Sequence, residues 1–136
     1  MLHDRVIGVI CLAGISVTHL IDLPDKIEEA PYMAVMFCGL IVASVALCIV
    51  LAIRPDAELV WPLAGTLAAL PLTGYVLSRS VALPQLEDHV GDWLNSAGVA
   101  SLLFEAIVIG LSVMHVSRMR GSQGSGQRLD GTMRSR

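Results

Sequence analysis

The chain alternates four long apolar segments with three short polar connections. An α-helix rises about 1.5 Å per residue, so about 20 consecutive apolar residues cross the ~30 Å hydrocarbon core of a bilayer. Each of the four segments approaches or exceeds that length with almost no charge. The pattern therefore predicts an all-α membrane protein with four transmembrane helices, at residues 5–23, 31–53, 59–78 and 94–117.

The polar connections are short enough to hold successive helices antiparallel. Residues 54–56 predict a tight turn, and residues 22–30 are acidic, with Pro24 suited to the first turn of a separate surface helix. Residues 79–93 mix apolar and acidic positions, which predicts an amphipathic segment on the membrane surface, with Leu86 toward lipid. We expect a single domain over residues 1–117, an antiparallel four-helix bundle with short loops.

Composition agrees with a membrane location. Hydrophobic residues make up 54% of the chain and charged residues 15%, whereas soluble domains carry about 25% charged residues. Residues 118–136 are instead rich in Gly, Ser and Arg without apolar periodicity, which predicts a disordered basic cytoplasmic tail. Its basic residues are too sparse for a nucleic-acid-binding arm, so the expected partner is the lipid bilayer and no nucleic acid is expected.

Basic residues are distributed unevenly between the two sides of the predicted bundle. With both termini in the cytoplasm, only Lys26 and Arg79 of the nine basic residues lie outside. The positive-inside rule favours that arrangement. Eight of the nine are Arg, which is typical of bacterial genes of high GC content. We therefore expect a multi-pass protein of the bacterial plasma membrane with cytoplasmic N- and C-termini.

The fourth apolar segment carries one charged residue, Glu105, near its middle. An ionisable group at that depth is costly unless it is paired, hydrated or neutral, so it marks a candidate functional site. On a helix, Gly98, Ser101 and Ser112 share its face, where a lipid-facing stripe would carry Leu and Ile. We therefore predict that Glu105, Ser101 and Ser112 form an intramembrane polar site that points into the bundle.

Two interpretations of Glu105 stay open. It could be a structural group, a neutral carboxylic acid that donates to a nearby carbonyl or to Ser16 or Thr73, which lie at similar depth on other helices. It could instead be the proton or cation site of a small transporter. Other charged groups are expected nearer the outer surface, which favours hydrogen bonding of a neutral Glu105 over a salt bridge.

A second polar set lies at the outer ends of the predicted helices and consists of His19, Asp22, Arg79 and His89. Two His residues and nearby carboxylates can bind a transition metal, with His19, Asp22, His89 and Glu87 as the candidate ligands. Their spacing is not diagnostic of a metal site, so no cofactor is predicted and a metal ion stays an alternative. Arg79 either snorkels to lipid headgroups or pairs with Asp22 or Glu28 of the first connection.

Three strings stand out along the chain: HLIDLPDKIEEAPYMAVMF (His19–Phe37), GYVLSRSVALP (Gly74–Pro84) and DWLNSAGVASLLFE (Asp92–Glu105). Together they resemble segments of uncharacterised small four-helix integral membrane proteins of actinobacterial type. The resemblance implies a bacterial plasma-membrane protein and connects His19, Asp22, Arg79 and Glu105 as one set. It implies no activity.

The sequence contains no nucleophile elbow, no zinc-protease motif and no phosphate-binding glycine loop. An enzyme is therefore the less favoured interpretation. We predict a non-enzymatic accessory or assembly subunit of a larger membrane complex or homo-oligomer. The alternative is a small transporter of protons, cations or metal ions that uses Glu105.

Overall fold

The computed structural model of the protein describes residues 2–54 and 58–134, with side chains described as far as Gly121. These residues form four helices: α1 (Leu2–Glu29), α2 (Pro31–Ile53), α3 (Val60–Ser80) and α4 (Ser96–Arg134). A single 3₁₀ turn, Glu87–His89, lies between α3 and α4, and the described part of the chain contains no β-strand.

All four helices contain a stretch long and apolar enough to cross a membrane, which in α4 is Ser96–Gly121. The predicted all-α four-helix membrane architecture is therefore confirmed. Two expectations fall elsewhere. Residues 55 and 56 of the predicted tight turn lie outside the described residues. Most of the predicted disordered tail, residues 122–136, lies outside the residues with described side chains.

Helix α2 has the predicted bounds, whereas α1 is longer than predicted. Instead of stopping at residue 23 before a separate surface helix, α1 continues through Pro24 to Glu29. Proline lacks an N–H and removes one helical hydrogen bond, here the one to the carbonyl of Leu20. Leu20 and Pro24 are both exposed, so that carbonyl is not buried by protein. A bond from Lys26 to Glu29, of 2.6 Å, supports the last turn.

The helices define two ends of the bundle. At the Arg54 end, α1 and α3 begin and α2 ends; at the Arg79 end, α1 and α3 end and α2 and α4 begin. Helix α1 packs extensively against α2 and α4, and α3 packs mainly against α4, whereas α2–α3 is the weakest of the four neighbouring pairs. The order around the bundle is therefore α2, α1, α4, α3, with the loosest seam between α2 and α3.

The hydrophobic core occupies the half of the bundle nearer the Arg54 end. Its buried members come from all four helices: Cys11, Leu12, Ile15, Leu40, Leu51, Val60, Trp61, Ala64, Ala68 and Val108. Small residues bring the helices together there, since a Cβ on Gly8 would lie 2.9 Å from Leu51 Cδ2 and 3.0 Å from the Trp61 ring. Close packing of this kind drives helix association in lipid, where the hydrophobic effect between helices is weak.

The connection over residues 81–95 folds back over the Arg79 end of the bundle. The hydroxyl of Tyr32 donates to the carbonyl of Pro84 at 2.8 Å, and that of Tyr75 donates to the carbonyl of Trp93 at 2.9 Å. Gly91 adopts a φ of 85°, which glycine tolerates without strain, and turns the chain back toward α3. Leu86 is buried, so the expectation that it faces lipid is wrong: the side chain packs against the bundle.

Candidate ligand-binding cavity

The half of the bundle nearer the Arg79 end encloses a cavity of about 570 Å³ among all four helices. Ligand sites commonly have volumes of ~300–1,000 Å³. Its lining includes Asp25 and Glu29, which are exposed, so the cavity reaches the surface at the Arg79 end. It also includes Met36 of α2 and Leu70 of α3, which are exposed on the apolar flank of the bundle. The cavity is therefore accessible both from the end of the bundle and from its side.

Glu105 lies at the floor of this cavity, next to the core. Its side chain is 1% exposed, and Val108, one turn further along α4, belongs to the core. The hydroxyl of Ser101 donates to Glu105 Oε1 at 2.6 Å. The other oxygen, Oε2, is buried and has no hydrogen-bond partner among the described residues. One carboxyl oxygen is thus fixed by the protein, and the other is left to whatever occupies the cavity.

Neither of the hydrogen-bond partners predicted on other helices bonds to Glu105. Ser16 donates to the carbonyl of Leu12 at 3.1 Å, and Thr73 donates to that of Ala69 at 2.7 Å. A hydroxyl within a helix readily bonds the carbonyl four residues earlier, and that local bond prevails at both positions. The expectation of Ser16 or Thr73 as the partner is therefore wrong, and the partner is Ser101 on the same helix.

Ser112 is buried like Ser101 and Glu105, so this face of α4 does point into the bundle. Its hydroxyl, however, donates to the carbonyl of Trp61 at 2.7 Å and joins α4 to α3 within the packed half. It does not line the cavity. The polar stripe predicted along α4 therefore divides in two, with Ser101 in the cavity and Ser112 in the core.

Arg79 is 7% exposed and lines the cavity, so it does not snorkel to lipid headgroups. Its guanidinium lies over the ring of Tyr75, 4.8 Å from the ring centroid. The expected pairs with Asp22 and Glu28 are not formed, and no acid of the described chain lies within ion-pair distance. The physical reason is the folded connection, whose Gly91 N–H donates to the Arg79 carbonyl at 3.0 Å and covers this end of α3.

His89 presents an N–H group at the Arg79 end of the cavity. Lys26 Nζ donates to Glu29 Oε2 at 2.6 Å and approaches His89 Nε2 at 3.2 Å. An ammonium group cannot accept a hydrogen bond, so Nε2 of a neutral His89 is the acceptor and its Nδ1 carries the proton. Nδ1 is buried and has no partner among the described residues. It is therefore a donor available to a bound molecule.

The surroundings of His89 favour this neutral ring. Burial lowers its pKa below the ordinary value, and the positive charges of Lys26 and Arg79 lower it further. The negative charges of Glu29 and Asp92 raise the pKa of His89, but by less than burial and the two cations lower it. Two cations and an imidazole thus share one end of the cavity with the carboxylates of Asp22, Asp25 and Glu29.

His19 and Asp22, in the second half of α1, both line the cavity. His19 is buried, and its Nδ1 lies 2.9 Å from the carbonyl of Ile15, to which it donates. The imidazole edge packs against Phe37, with 4.7 Å between ring centroids. The helix backbone and Phe37 therefore orient this ring and leave Nε2 as its available nitrogen.

The candidate metal ligands do not assemble into a site. Within the described residues, no three His, Cys, Asp or Glu side chains are grouped closely enough to hold one metal ion. His19, Asp22 and His89 line the cavity, whereas Glu87 is exposed in the 3₁₀ turn and does not. The metal hypothesis therefore rests on residue types and has no support from the geometry.

Most of the unpaired buried polar atoms of the described chain belong to residues that line the cavity. In the described chain, four buried side-chain nitrogen or oxygen atoms lack a hydrogen-bond partner. Three of them, Arg79 Nε, His89 Nδ1 and Glu105 Oε2, belong to residues that line the cavity, and only Ser44 Oγ does not. Buried polar groups are normally hydrogen-bonded. These three unpaired atoms make the cavity the candidate site for a polar ligand.

The polar site at Glu105 and the polar set at the outer helix ends were expected at different depths. Both belong to one cavity, because its walls extend from the Arg79 end down to Glu105. Tyr75, Lys26 and Glu29 also line the cavity and were not predicted from the sequence as site residues. Tyr75 lies four residues before Arg79, a spacing that places both on one helix face and could have indicated their contact. Lys26 and Glu29, three residues apart, carry a similar signal.

Comparisons of the chain with known protein families, with curated proteins and with solved structures found no match. The geometry of the cavity is therefore the basis for a functional assignment.

Proposed function

We propose that the protein is a small proton-linked carrier that binds a polar ligand in this cavity and uses Glu105 as its proton site. The observation that carries the proposal is the convergence of Arg79 Nε, His89 Nδ1 and Glu105 Oε2, all buried and unpaired, on one cavity. A carboxylic acid kept only to hold helices together would be expected to bond through both oxygens, because an unsatisfied buried acceptor destabilises the fold.

Glu105 suits a proton site because of its position between the cavity and the core. A negative charge at this depth costs several kcal/mol unless it is compensated. The carboxyl group and a ligand in the cavity therefore influence each other: a cation favours the ionised acid, and an anion favours the protonated one. This mutual influence is a linkage, so ligand occupancy and protonation change each other's equilibria equally.

The packing supports a state in which the cavity is closed toward the Arg54 end. Beyond Glu105 toward the Arg54 end, Leu12, Ile15, Ala68 and Val108 belong to the packed core, which closes that side. A carrier must also adopt a state in which the cavity opens toward the Arg54 end. The loose seam between α2 and α3 would allow the α1–α2 and α3–α4 pairs to tilt against each other, as in rigid-body alternation between two openings.

Proton flux in proteoliposomes tests this function. Wild-type protein in vesicles loaded with a pH-sensitive dye is expected to pass protons under an imposed pH gradient, in the presence of Na⁺, K⁺ or octyl phosphate gradients. Glu105→Gln is expected to abolish that flux with an unchanged melting temperature, whereas Glu28→Gln, at an exposed position, is expected to retain it. A wild-type protein without flux under any of these gradients would overturn the carrier assignment.

The second candidate is the accessory or assembly subunit of a larger membrane complex or homo-oligomer. The observation in its favour is the uncovered face of α2, on which Val35, Val42 and Ile53 are 73%, 70% and 72% exposed. Such a face contacts either lipid or another protein. This candidate predicts that Glu105→Gln keeps the native mass of the detergent-extracted assembly and that no flux is measured for either protein.

We also propose that the protein resides in a bacterial plasma membrane with both termini in the cytoplasm. The resemblance to membrane proteins of actinobacterial type and the excess of Arg support this location. In that orientation the Arg79 end faces outward, so the cavity is accessible from outside the cell or from the outer leaflet.

A further inference from the structure

The cavity has a cationic part at the Arg79 end. The guanidinium of Arg79 is buried, lies against Tyr75 and has no carboxylate partner in the described chain. Asp22 and Asp25 line the same cavity, but neither lies within ion-pair distance of Arg79, and Glu29 is bonded to Lys26. Together with the N–H of His89, Arg79 therefore offers two unpaired donors, which is the chemistry of an anion site.

The cavity also has an apolar part, a gap between α2 and α3 that opens on the flank of the bundle. Met36 and Leu70 belong both to the cavity lining and to the exposed surface, at 63% and 64% exposure. Gly39 and Gly74 line the gap from the two sides, and a Cβ built on either would meet no atom within 4 Å. The gap lies at the seam where the helices contact each other least.

We propose that the ligand of this cavity is a single-chain anionic amphiphile, with its headgroup on Arg79 and His89 and its chain in the gap between Gly39 and Gly74. The proposal rests on the cavity being the ligand site of the proposed function and names the class of its substrate. A carboxylate or phosphate headgroup matches the planar donors of a guanidinium. The apolar gap accommodates the chain, which a free inorganic anion lacks.

The flank opening also explains how such a molecule reaches a buried cation. The connection over residues 81–95 and the Lys26–Glu29 pair crowd the end of the bundle. An amphiphile already in the bilayer can keep its chain in lipid while its headgroup moves inward along the gap. An anion bound beside a protonated Glu105 meets no repulsion from it, so the substrate class also fits proton-linked uptake.

Binding of three soluble probes to the full chain in nanodiscs of zwitterionic lipid tests the proposal. Octyl phosphate carries both the headgroup and the chain, inorganic phosphate has only the headgroup, and octyltrimethylammonium has the chain with the opposite charge. Titration calorimetry is expected to give the tightest binding for octyl phosphate, at least tenfold tighter than for either of the other probes.

Four variants locate the two parts of the site. Arg79→Gln is expected to weaken octyl phosphate binding about tenfold or more, since a charge-assisted bond is lost, and His89→Gln is expected to weaken it less. Gly74→Phe fills the gap, where no atom lies within 4 Å, and is expected to weaken octyl phosphate binding without affecting that of inorganic phosphate. Gly110→Phe is the matched control, because Gly110 also faces open space but does not line the cavity.

Each outcome bears on a distinct part of the proposal. Equal binding of octyl phosphate by wild type and by both Arg79→Gln and His89→Gln would overturn the headgroup site. Equal binding of inorganic phosphate and octyl phosphate, unaffected by Gly74→Phe, would assign the site to a free anion and overturn the chain site. Tighter binding of octyltrimethylammonium would overturn the substrate class. Proton flux is measured separately, so the carrier function can fail or stand independently of these results.

Discussion

Ser101 and Glu105 lie one helical turn apart on α4, and the hydroxyl of Ser101 donates to Glu105 Oε1 at 2.6 Å. The bond fixes one carboxyl oxygen within the helix that carries it and leaves Oε2 unpaired at the cavity floor. The two oxygens are therefore not equivalent. A residue that looked isolated in an apolar segment has a local anchor and one free acceptor, which is an arrangement suited to an exchangeable proton.

Removal of that anchor is expected to destabilise the bundle. Ser101→Ala leaves both oxygens of a buried carboxyl group without a partner, and such a loss costs about 1–3 kcal/mol of the free energy of unfolding. Thermal or SDS-induced unfolding in detergent measures the change. Ser117→Ala is the control, because Ser117 is exposed and bonds only to the carbonyl of Met114. Equal stability of the two variants would contradict the assigned role of Ser101.

Two glycine substitutions on lipid-crossing helices are expected to have opposite effects. A Cβ on Gly65 would lie 2.6 Å from Ser112 Cβ, so Gly65→Ala forces α3 and α4 apart. We expect overpacking of about 1–3 kcal/mol to exceed the ~0.5–1 kcal/mol that alanine adds to helix stability. Gly110→Ala meets no atom within 4 Å and is expected to be neutral or stabilising. The unfolding midpoints of the two variants, each compared with that of the wild type, measure these effects.

The stability of the Arg79 end is expected to depend on pH through His89. Burial, Lys26 and Arg79 lower its pKa in the folded protein below the ordinary value of 6.5, so the unfolded chain binds more protons between the two values. The free energy of unfolding should therefore rise with pH across that window and level off above about 6.5. Unfolding measured from pH 5 to pH 8 should show a flatter curve for His89→Gln. A variant curve as steep as that of wild type would exclude His89 as the cause.

The proposed orientation predicts which end of the bundle a membrane-impermeant maleimide labels in intact cells. In a background with Cys11, Cys38 and Cys48 changed to Ala, Asp88→Cys lies in the exposed 3₁₀ turn and should be labelled from outside. Arg54→Cys, at the opposite end, should react only after permeabilisation. The reverse pattern would place the cavity on the cytoplasmic side and would leave its chemistry unchanged.

Local features of the sequence were enough to predict most of the architecture. Apolar length determines which segments can cross a bilayer, and helical periodicity determines that Glu105, Ser101 and Ser112 share an inward face. Both are properties of neighbouring residues. They hold whatever the tertiary arrangement, which is why the bounds of α2 and the burial of this face agree with expectation.

The features that could not be predicted depend on competing hydrogen bonds or on segments without regular secondary structure. Ser16 and Thr73 were reasonable partners for Glu105, but their hydroxyls bond instead to the carbonyls of Leu12 and Ala69 in their own helices. The burial of Arg79 depends on how residues 81–95 fold, and the amphipathic pattern of this segment does not determine that it packs back onto the bundle.

The length of α1 depended on whether Pro24 would end the helix. It does not, because the carbonyl that it leaves without a donor lies in an exposed turn. That single outcome places Asp25, Lys26 and Glu29 in the cavity wall.

The division of the bundle into a packed half and a hollow half also sets the order in which it comes apart. Amides near Ile15 and Val108, in the core, should exchange with solvent only on global unfolding, whereas those near Gly39 and Gly74 should exchange through local opening. Heating would then disorder the cavity well below the temperature at which the four helices separate. The cavity half of the bundle is therefore expected to have a lower melting temperature than the packed half.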